Sequence, residues 1–299
     1  MKAKDARVLL TGATGGIGQA AAAALVGAGA SVMLLGRSPA RLAAQARALA
    51  RTCTGAGAHA PPPSIEWYAA DLTRTSSLAG IAEVAAGWGC NVLVHNAGVP
   101  AFGRIESFAT NEMAQVLHLN LFAPMLLTQA LLPHLRSCTE SRVVFVGSVL
   151  GRLGLPGFSV YSASKFGLRG FAESLRRELG GTSVGVQYLG PRSTRTAFNS
   201  DAVDGYNKAT GTAMDAPEVA ARALLQLIES GAAERFLGFP ESLAVRLNGV
   251  APGLLDGSFR KHRESLPPVT TSPTAVLDGT LPRDTPAEAD SHSLMRNAL

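Results

Sequence analysis

The sequence predicts one α/β domain: a doubly wound, parallel, seven-stranded sheet with helices on both faces. Short β-branched or aliphatic runs alternate with longer Ala/Leu-rich stretches as far as residue 240. The runs are mostly apolar rather than alternating, as expected of strands buried on both faces. A glycine cluster follows the first run directly and opens an Ala-rich stretch, which marks a strand turning into a helix.

Strands are read at 7–11 (RVLLT), 31–35 (SVMLL), 65–70 (IEWYAA), 91–95 (NVLVH), 142–148 (RVVFVGS), 183–189 (SVGVQYL) and 235–239 (RFLGF). Helices are expected at 17–28, 39–51, 75–87, 110–135, 159–180 and 216–230. The Gly/Pro-rich stretch 52–64 reads as a surface loop. The domain is therefore assigned to 1–264, with a core at 5–240 and a helical extension at 241–264. From Ser265 onward, Pro, Ser and Thr without apolar periodicity predict a disordered tail, 265–299.

Hydrophobic residues make up 46% of the 299, enough for a sizeable core. The net charge is +5; the tail, with two arginines against four acids, contributes −2 and leaves +7 for residues 1–264. Lys and Arg are scattered and aromatic residues are only 6%, which favours an anionic small molecule or carrier over nucleic acid. Three cysteines without a CxxC pair or a repeated spacing to histidine argue against a disulfide framework or a metal site and for a reducing, cytoplasmic setting. The N-terminus lacks the pattern of a signal peptide, and no uncharged apolar run of membrane-spanning length is expected.

In RVLLTGATGGIG the glycines let a ligand approach the backbone, and the unsatisfied N–H groups of the following helix point at an anion such as a pyrophosphate. The alternative is a tight turn. The second strand ends in MLLGRS, where an acid would suit NAD; Arg37 instead suits a 2′-phosphate, which favours NADPH/NADP over NADH, against the reading of a solvated helix-start arginine. Asp71 ends the third strand, placed to meet an adenine amino group or to cap the next helix.

TGATGGIG (11–18), NAG (96–98), Asn120, Ser148 and YSASK (161–165) stand in the order and approximate spacing of the short-chain dehydrogenase/reductase family. The chain resembles that family's NADPH-using members over roughly 5–240, and the resemblance implies a Rossmann-type fold. It also implies a cofactor-binding set of Thr11, Gly12, Thr14, Gly15, Gly16, Ile17, Gly18, Arg37, Asp71, Leu72, Asn96, Ala97, Gly98, Tyr161, Lys165, Pro191 and Thr196. Reduction of a ketone needs a hydride and a proton, and nicotinamide supplies only the first. A cation near a phenol lowers its pKa, so Lys165, one helical turn beyond Tyr161, is expected to bring that group towards working pH. By the resemblance, Tyr161 donates the proton, Lys165 also binds the nicotinamide ribose, Ser148 hydrogen-bonds the carbonyl, and Asn120 holds a backbone distortion and a relay water. Ser148 as a strand-end cap and Asn120 as a satisfied core amide are the alternatives. His95 replaces the family's first Asn and is read as a packing residue.

The family's Pro-Gly after the sixth strand is Pro191-Arg192 here. Arg192 and Arg195 either grip an anionic substrate or lie on the solvated surface. Phe102, Leu150, Leu153, Leu155, Phe158 and Phe198 fall in segments beyond the strand ends and imply a hydrophobic carbonyl substrate, free or carrier-bound and acyl or polyketide-like. Residues 196–214 read as a lid. The chemistry expected is NADPH-dependent ketone reduction; an alcohol dehydrogenase working in reverse and a non-catalytic nucleotide-binding regulator are the alternatives. A homodimer or homotetramer is implied by the family. Residues 241–263 are expected to pack or dimerise rather than rest on a membrane.

Overall fold

The computed structural model describes residues 1–52 and 62–269. Most of the 52–64 loop and the tail from 270 lie outside the described residues. The strands are β1 (Arg7–Thr11), β2 (Ser31–Gly36), β3 (Ile65–Ala69), β4 (Val92–His95), β5 (Ser141–Val146), β6 (Val184–Gly190) and β7 (Glu234–Phe236). They form one parallel sheet in the order β3-β2-β1-β4-β5-β6-β7. The order reverses between β1 and β4, and the crevice beyond the carboxyl ends of those two strands is where such sheets bind ligands.

The helices in chain order are α1 (Gly16–Gly27), α2 (Pro39–Thr52), α3 (Thr75–Gly87), α4 (Thr110–Leu117), α5 (Ala123–Ser137), α6 (Ser159–Glu178), α7 (Asp201–Thr210), α8 (Pro217–Ser230), α9 (Glu241–Val250) and α10 (Arg260–Glu264). Helices α1, α2 and α8 cover one face, where Ala21, Ala22, Leu42 and Leu224 meet Val8, Leu10, Val32 and Val94. Helices α3, α5 and α6 cover the other, with Ile81, Leu127, Leu131 and Leu168 on Leu9, Leu93, Val143 and Phe145. Leu127, Leu131 and Leu135 recur every fourth residue of α5 and are fully buried. Each such burial is worth about 1.5–3 kcal/mol, enough for one stripe to hold the helix on the sheet.

Three expectations change. Residues 110–137 are long and apolar enough to cross a membrane by length and composition, contrary to the sequence reading. That helix packs on the sheet, however, and its buried leucines are core residues. It is also not one α-helix: a π-helical turn at His118–Phe122 separates α4 from α5. Residues 196–214, read as a lid, contain a helix that the sequence reading did not predict, α7, started by the Ser200 side chain and stopped by Gly211 at φ +74°.

A third apolar cluster sits beyond the carboxyl ends of the strands. It joins Val116, Val149, Leu150, Leu153, Val160 and Tyr161 to Val245 of α9, with Phe259 packed against it. The C-terminal extension thus forms a wall of the crevice. Its opposite stripe, Phe239, Leu243, Leu247, Val250 and Leu254, is exposed. The chain stays on the body slightly past residue 264: Arg104 Nε donates to the Pro267 carbonyl at 3.0 Å.

Candidate active site

The turn after β1 is shaped by glycine for steric reasons. Gly12 has φ +63°, and a Cβ there would lie 2.7 Å from the Ala97 backbone; at Gly18 it would strike the Gly12 carbonyl. No side chain caps the start of α1, so its first-turn N–H groups face the crevice without a capping partner from the chain. Thr11 fastens the turn to the end of β4. Its hydroxyl accepts from the N–H groups of Asn96 (2.9 Å) and Ala97 (3.0 Å), while Asn96 Nδ2 donates to the carbonyls of Thr11 and Gly12, both at 3.1 Å. A Cβ on Gly16 would collide with the Thr196 side chain. Thr196 therefore stands over the helix N-terminus, where a pyrophosphate would lie. These residues fit a dinucleotide.

At the adenosine end, Arg37 is exposed just past β2. The sequence reading missed Arg41 and Gln45, which reach back from α2: Arg41 Nη2 donates to the Thr14 carbonyl at 2.7 Å and Gln45 Nε2 to the Ala13 carbonyl at 3.0 Å. Asp71 binds the backbone N–H (2.9 Å) and hydroxyl (2.8 Å) of Thr73 through one oxygen, a turn cap that leaves its other oxygen for a ligand. The Leu72 side chain belongs to the core, so only its backbone can meet a cofactor.

Asn120, at the middle of the π turn, is fully buried. Its Oδ1 accepts from Val99 N–H at 2.8 Å, and its Nδ2 donates to the Val99 carbonyl (3.0 Å) and Ser164 Oγ (3.1 Å). It ties the segment after β4 to α6 and sits 3.1 Å from where a Cβ on Gly98 would be, with Lys165 Nζ at 3.7 Å from the same point. His95 is a buried packing group, stacked on Phe145 and bonded to Thr128 Oγ1 at 2.8 Å; burial pushes its pKa down to about 3.

Ser148, Tyr161 and Lys165 converge beside Asn120. Ser148 Oγ accepts from Leu150 N–H at 3.0 Å, so its own proton is free to be donated. Tyr188 was not singled out from sequence, yet its hydroxyl holds Ser148 twice, accepting from its N–H and donating to its carbonyl, both at 3.1 Å. The Lys165 ammonium lies 5.7 Å from the Tyr161 ring centroid and donates to the Val146 carbonyl at 3.3 Å. Burial raises the Tyr161 pKa, and a hydrogen bond with Ser148 pulls it partly back. The expected lowering by Lys165 is not found: desolvation sets the direction for Tyr161 and also brings Lys165 down to about 8.

The apolar residues expected around the substrate meet here. Phe158 and Phe198 contact the Tyr161 ring edge-on at 6.5 and 6.1 Å between centroids, and Phe102 packs on Phe158 at 4.9 Å. Tyr206 of α7 completes the group against Phe102 and Phe158 and donates its hydroxyl to the Pro156 carbonyl at 3.1 Å. Its polar surroundings in sequence hid it, although Val203 and Tyr206 mark a helical face. Pro191 accepts from Val149 N–H at 2.9 Å. Arg192 is occupied by carboxylates and is not free for an anionic substrate, and Arg195 donates to the Met214 carbonyl. Among the described residues no three His, Cys, Asp or Glu gather as a metal site.

Residues 6–207 match the family model described as short chain dehydrogenase. Dehydrogenase/reductase SDR family member 7B of Mus musculus is 30% identical over 275 residues, spanning 88% of this chain and 84% of its own. Ketoacyl reductase HetN of Nostoc sp. is 32% identical over 230 residues, 76% of each chain. A metagenomic short-chain oxidoreductase solved in complex with NADP superposes with a TM-score of 0.63 at 29% identity, over 77% of this chain and 96% of that one. A short-chain dehydrogenase from Streptomyces avermitilis gives 0.70 at 28% identity, over 85% and 96%. With its glycine turn, Ser148, Tyr161 and Lys165 on the matched frame, the chain belongs to the short chain dehydrogenase family and is an oxidoreductase of it.

Proposed function

We propose that the protein is an NADPH-dependent ketone reductase acting on a hydrophobic, acyl or polyketide-like carbonyl compound. The observation that carries this is the buried Ser148–Tyr161 pair between an apolar wall and the glycine turn. The NADP in a related structure and the ketoacyl reductase among the relatives support it.

When bound, NADPH would supply the hydride, and the α1 N-terminus, Thr196, Asn96–Gly98 and Lys165 would hold it, with Arg37 serving the 2′-phosphate. Ser148 Oγ–H and the Tyr161 hydroxyl donate to the substrate oxygen, placing two donors where negative charge develops. Burial keeps the proton on Tyr161, the form that reduction uses. After transfer, Lys165 stabilises the phenolate. Its pKa of about 8 makes it a competent acid for returning the proton.

Free Cys90 and Cys138 are consistent with the reducing, cytoplasmic setting we propose. Outward Leu117, Phe122 and Phe166 support a homo-oligomer packed through α4 and α6. The test is transfer of deuterium from labelled NADPH to a panel of apolar ketones. Tyr161→Phe is expected to lower kcat about a hundredfold or more with NADPH affinity little changed. Equal turnover by the variant would remove Tyr161 as proton donor.

A further inference from the structure

The segment between β6 and α8 closes on itself at its base. Thr194 and Asp215 form an isolated parallel bridge, Asp215 N–H donates to the Ser193 carbonyl at 2.9 Å, and Arg195 N–H donates to the Asp215 carbonyl at 2.8 Å. Between these ends the segment carries Thr196 over the glycine turn, Phe198 against Tyr161, and Tyr206. Under the base lies Arg192, where the resembling family has glycine. Its Nε and Nη2 grip the two Asp215 oxygens at 3.0 and 2.7 Å, and its Nη1 lies 3.4 Å from the Glu241 carboxylate and 3.5 Å from the Phe239 carbonyl. The three charged side chains are 14–20% exposed. One guanidinium thus joins the end of β6, the base of the segment and the first turn of α9.

We propose that Arg192 is a positioning residue: it fastens the base of 193–215, so that Thr196 stays over the cofactor site and Phe198 and Tyr206 over the substrate, with α9 coupled to both through Glu241. A bidentate guanidinium–carboxylate pair fixes orientation as well as charge, which a lysine or glycine at this position cannot do. The kinetic consequence rests on the proposed ketone reduction; the conformational one does not.

Two readouts on the full chain separate them: amide hydrogen exchange across 196–214 without ligand, and steady-state kinetics. Arg192→Ala and Asp215→Asn are each expected to speed exchange in 196–214 about tenfold, leaving the strands protected. Arg192→Lys is expected to behave nearly as the alanine variant, and Glu241→Gln to have a smaller effect. The Arg192→Ala/Asp215→Asn double variant is expected to be no worse than either single one, since both remove the same pair. KM for the ketone and Kd for NADPH are expected to rise about tenfold, with kcat within about threefold, the pattern of lost binding rather than lost chemistry. Unchanged exchange and KM in both single variants would overturn the proposal, as would loss of protection spread evenly over the domain. If no ketone is turned over by the unaltered protein, exchange alone decides, and the failure belongs to the proposed reaction.

Discussion

At Ser148 one phenol satisfies both polar groups of a buried peptide, because Tyr188 rises from β6 into the space left by two glycines. A Cβ on Gly147 or Gly151 would run into its hydroxyl, so the small residues flanking Ser148 are sterically required. Tyr188→Phe keeps the ring and removes the hydroxyl, leaving the Ser148 N–H unpaired in a buried site, while the Ser148 carbonyl keeps the Gly151 N–H at 3.0 Å. An unpaired buried group costs about 1–3 kcal/mol, and the serine donor loses its fixed aim. The variant is expected to melt lower and to lose about tenfold in kcat, with NADPH affinity unchanged, as thermal melts and kinetics would show. The sequence held the proposed reacting residues in YSASK and Ser148 but not this support. A tyrosine inside a strand reads as core, and only the three-dimensional neighbourhood shows what its hydroxyl meets.

At the scale of elements, the proposed adenosine end is shared between β2 and α2. Arg37 stands free at the strand end, whereas Arg41 is bonded across the turn to Thr14. Arg37→Ala is expected to weaken NADPH about tenfold and NADH less than twofold, since only NADPH carries the 2′-phosphate. Fluorescence titration with both cofactors checks it; equal losses would move the phosphate elsewhere. The elements themselves were largely legible, because buried parallel strands and long amphipathic helices leave strong patterns. The π turn in 110–137 was not: one extra residue in a helical turn leaves the apolar pattern almost unchanged, and its reason, Asn120 bonding to Val99 and Ser164, lies in other elements. Helix α7 was not predicted within the lid segment because its polar surface obscured a short apolar face.

For the whole molecule, buried titratable groups make stability depend on pH. His95 has a folded pKa of about 3 against 6.5 unfolded. Between those values the unfolded chain binds more protons, so stability rises with pH up to about 6.5 and falls on acidification. At pH 5 the penalty for keeping His95 neutral is about 2 kcal/mol. Lys165 adds a rise from about 8 towards 10.5, and the raised pKa values of Tyr161, Tyr188 and Tyr206 reverse the trend above 10. Denaturant unfolding at pH 5 and 7 is expected to show the His95 contribution, and His95→Asn, the residue the resembling family carries there, is expected to remove it.

The sequence by itself determined the sheet, its two covering layers, the glycine turn and the candidate site residues, because these are written in local periodicity and in short motifs with fixed spacing. Tertiary structure alone decided what surrounds them: Tyr188 behind Ser148, Arg41 on the glycine turn, Tyr206 and Val245 in the apolar wall, Arg192 between Asp215 and Glu241. Such pairings join residues far apart in the chain, as between Arg104 and the Pro267 carbonyl, 163 positions away. Their energies depend on burial and direction, which arise only when the chain has folded. The same holds for Tyr161 and Lys165, whose spacing was legible but whose proton affinities are governed by desolvation.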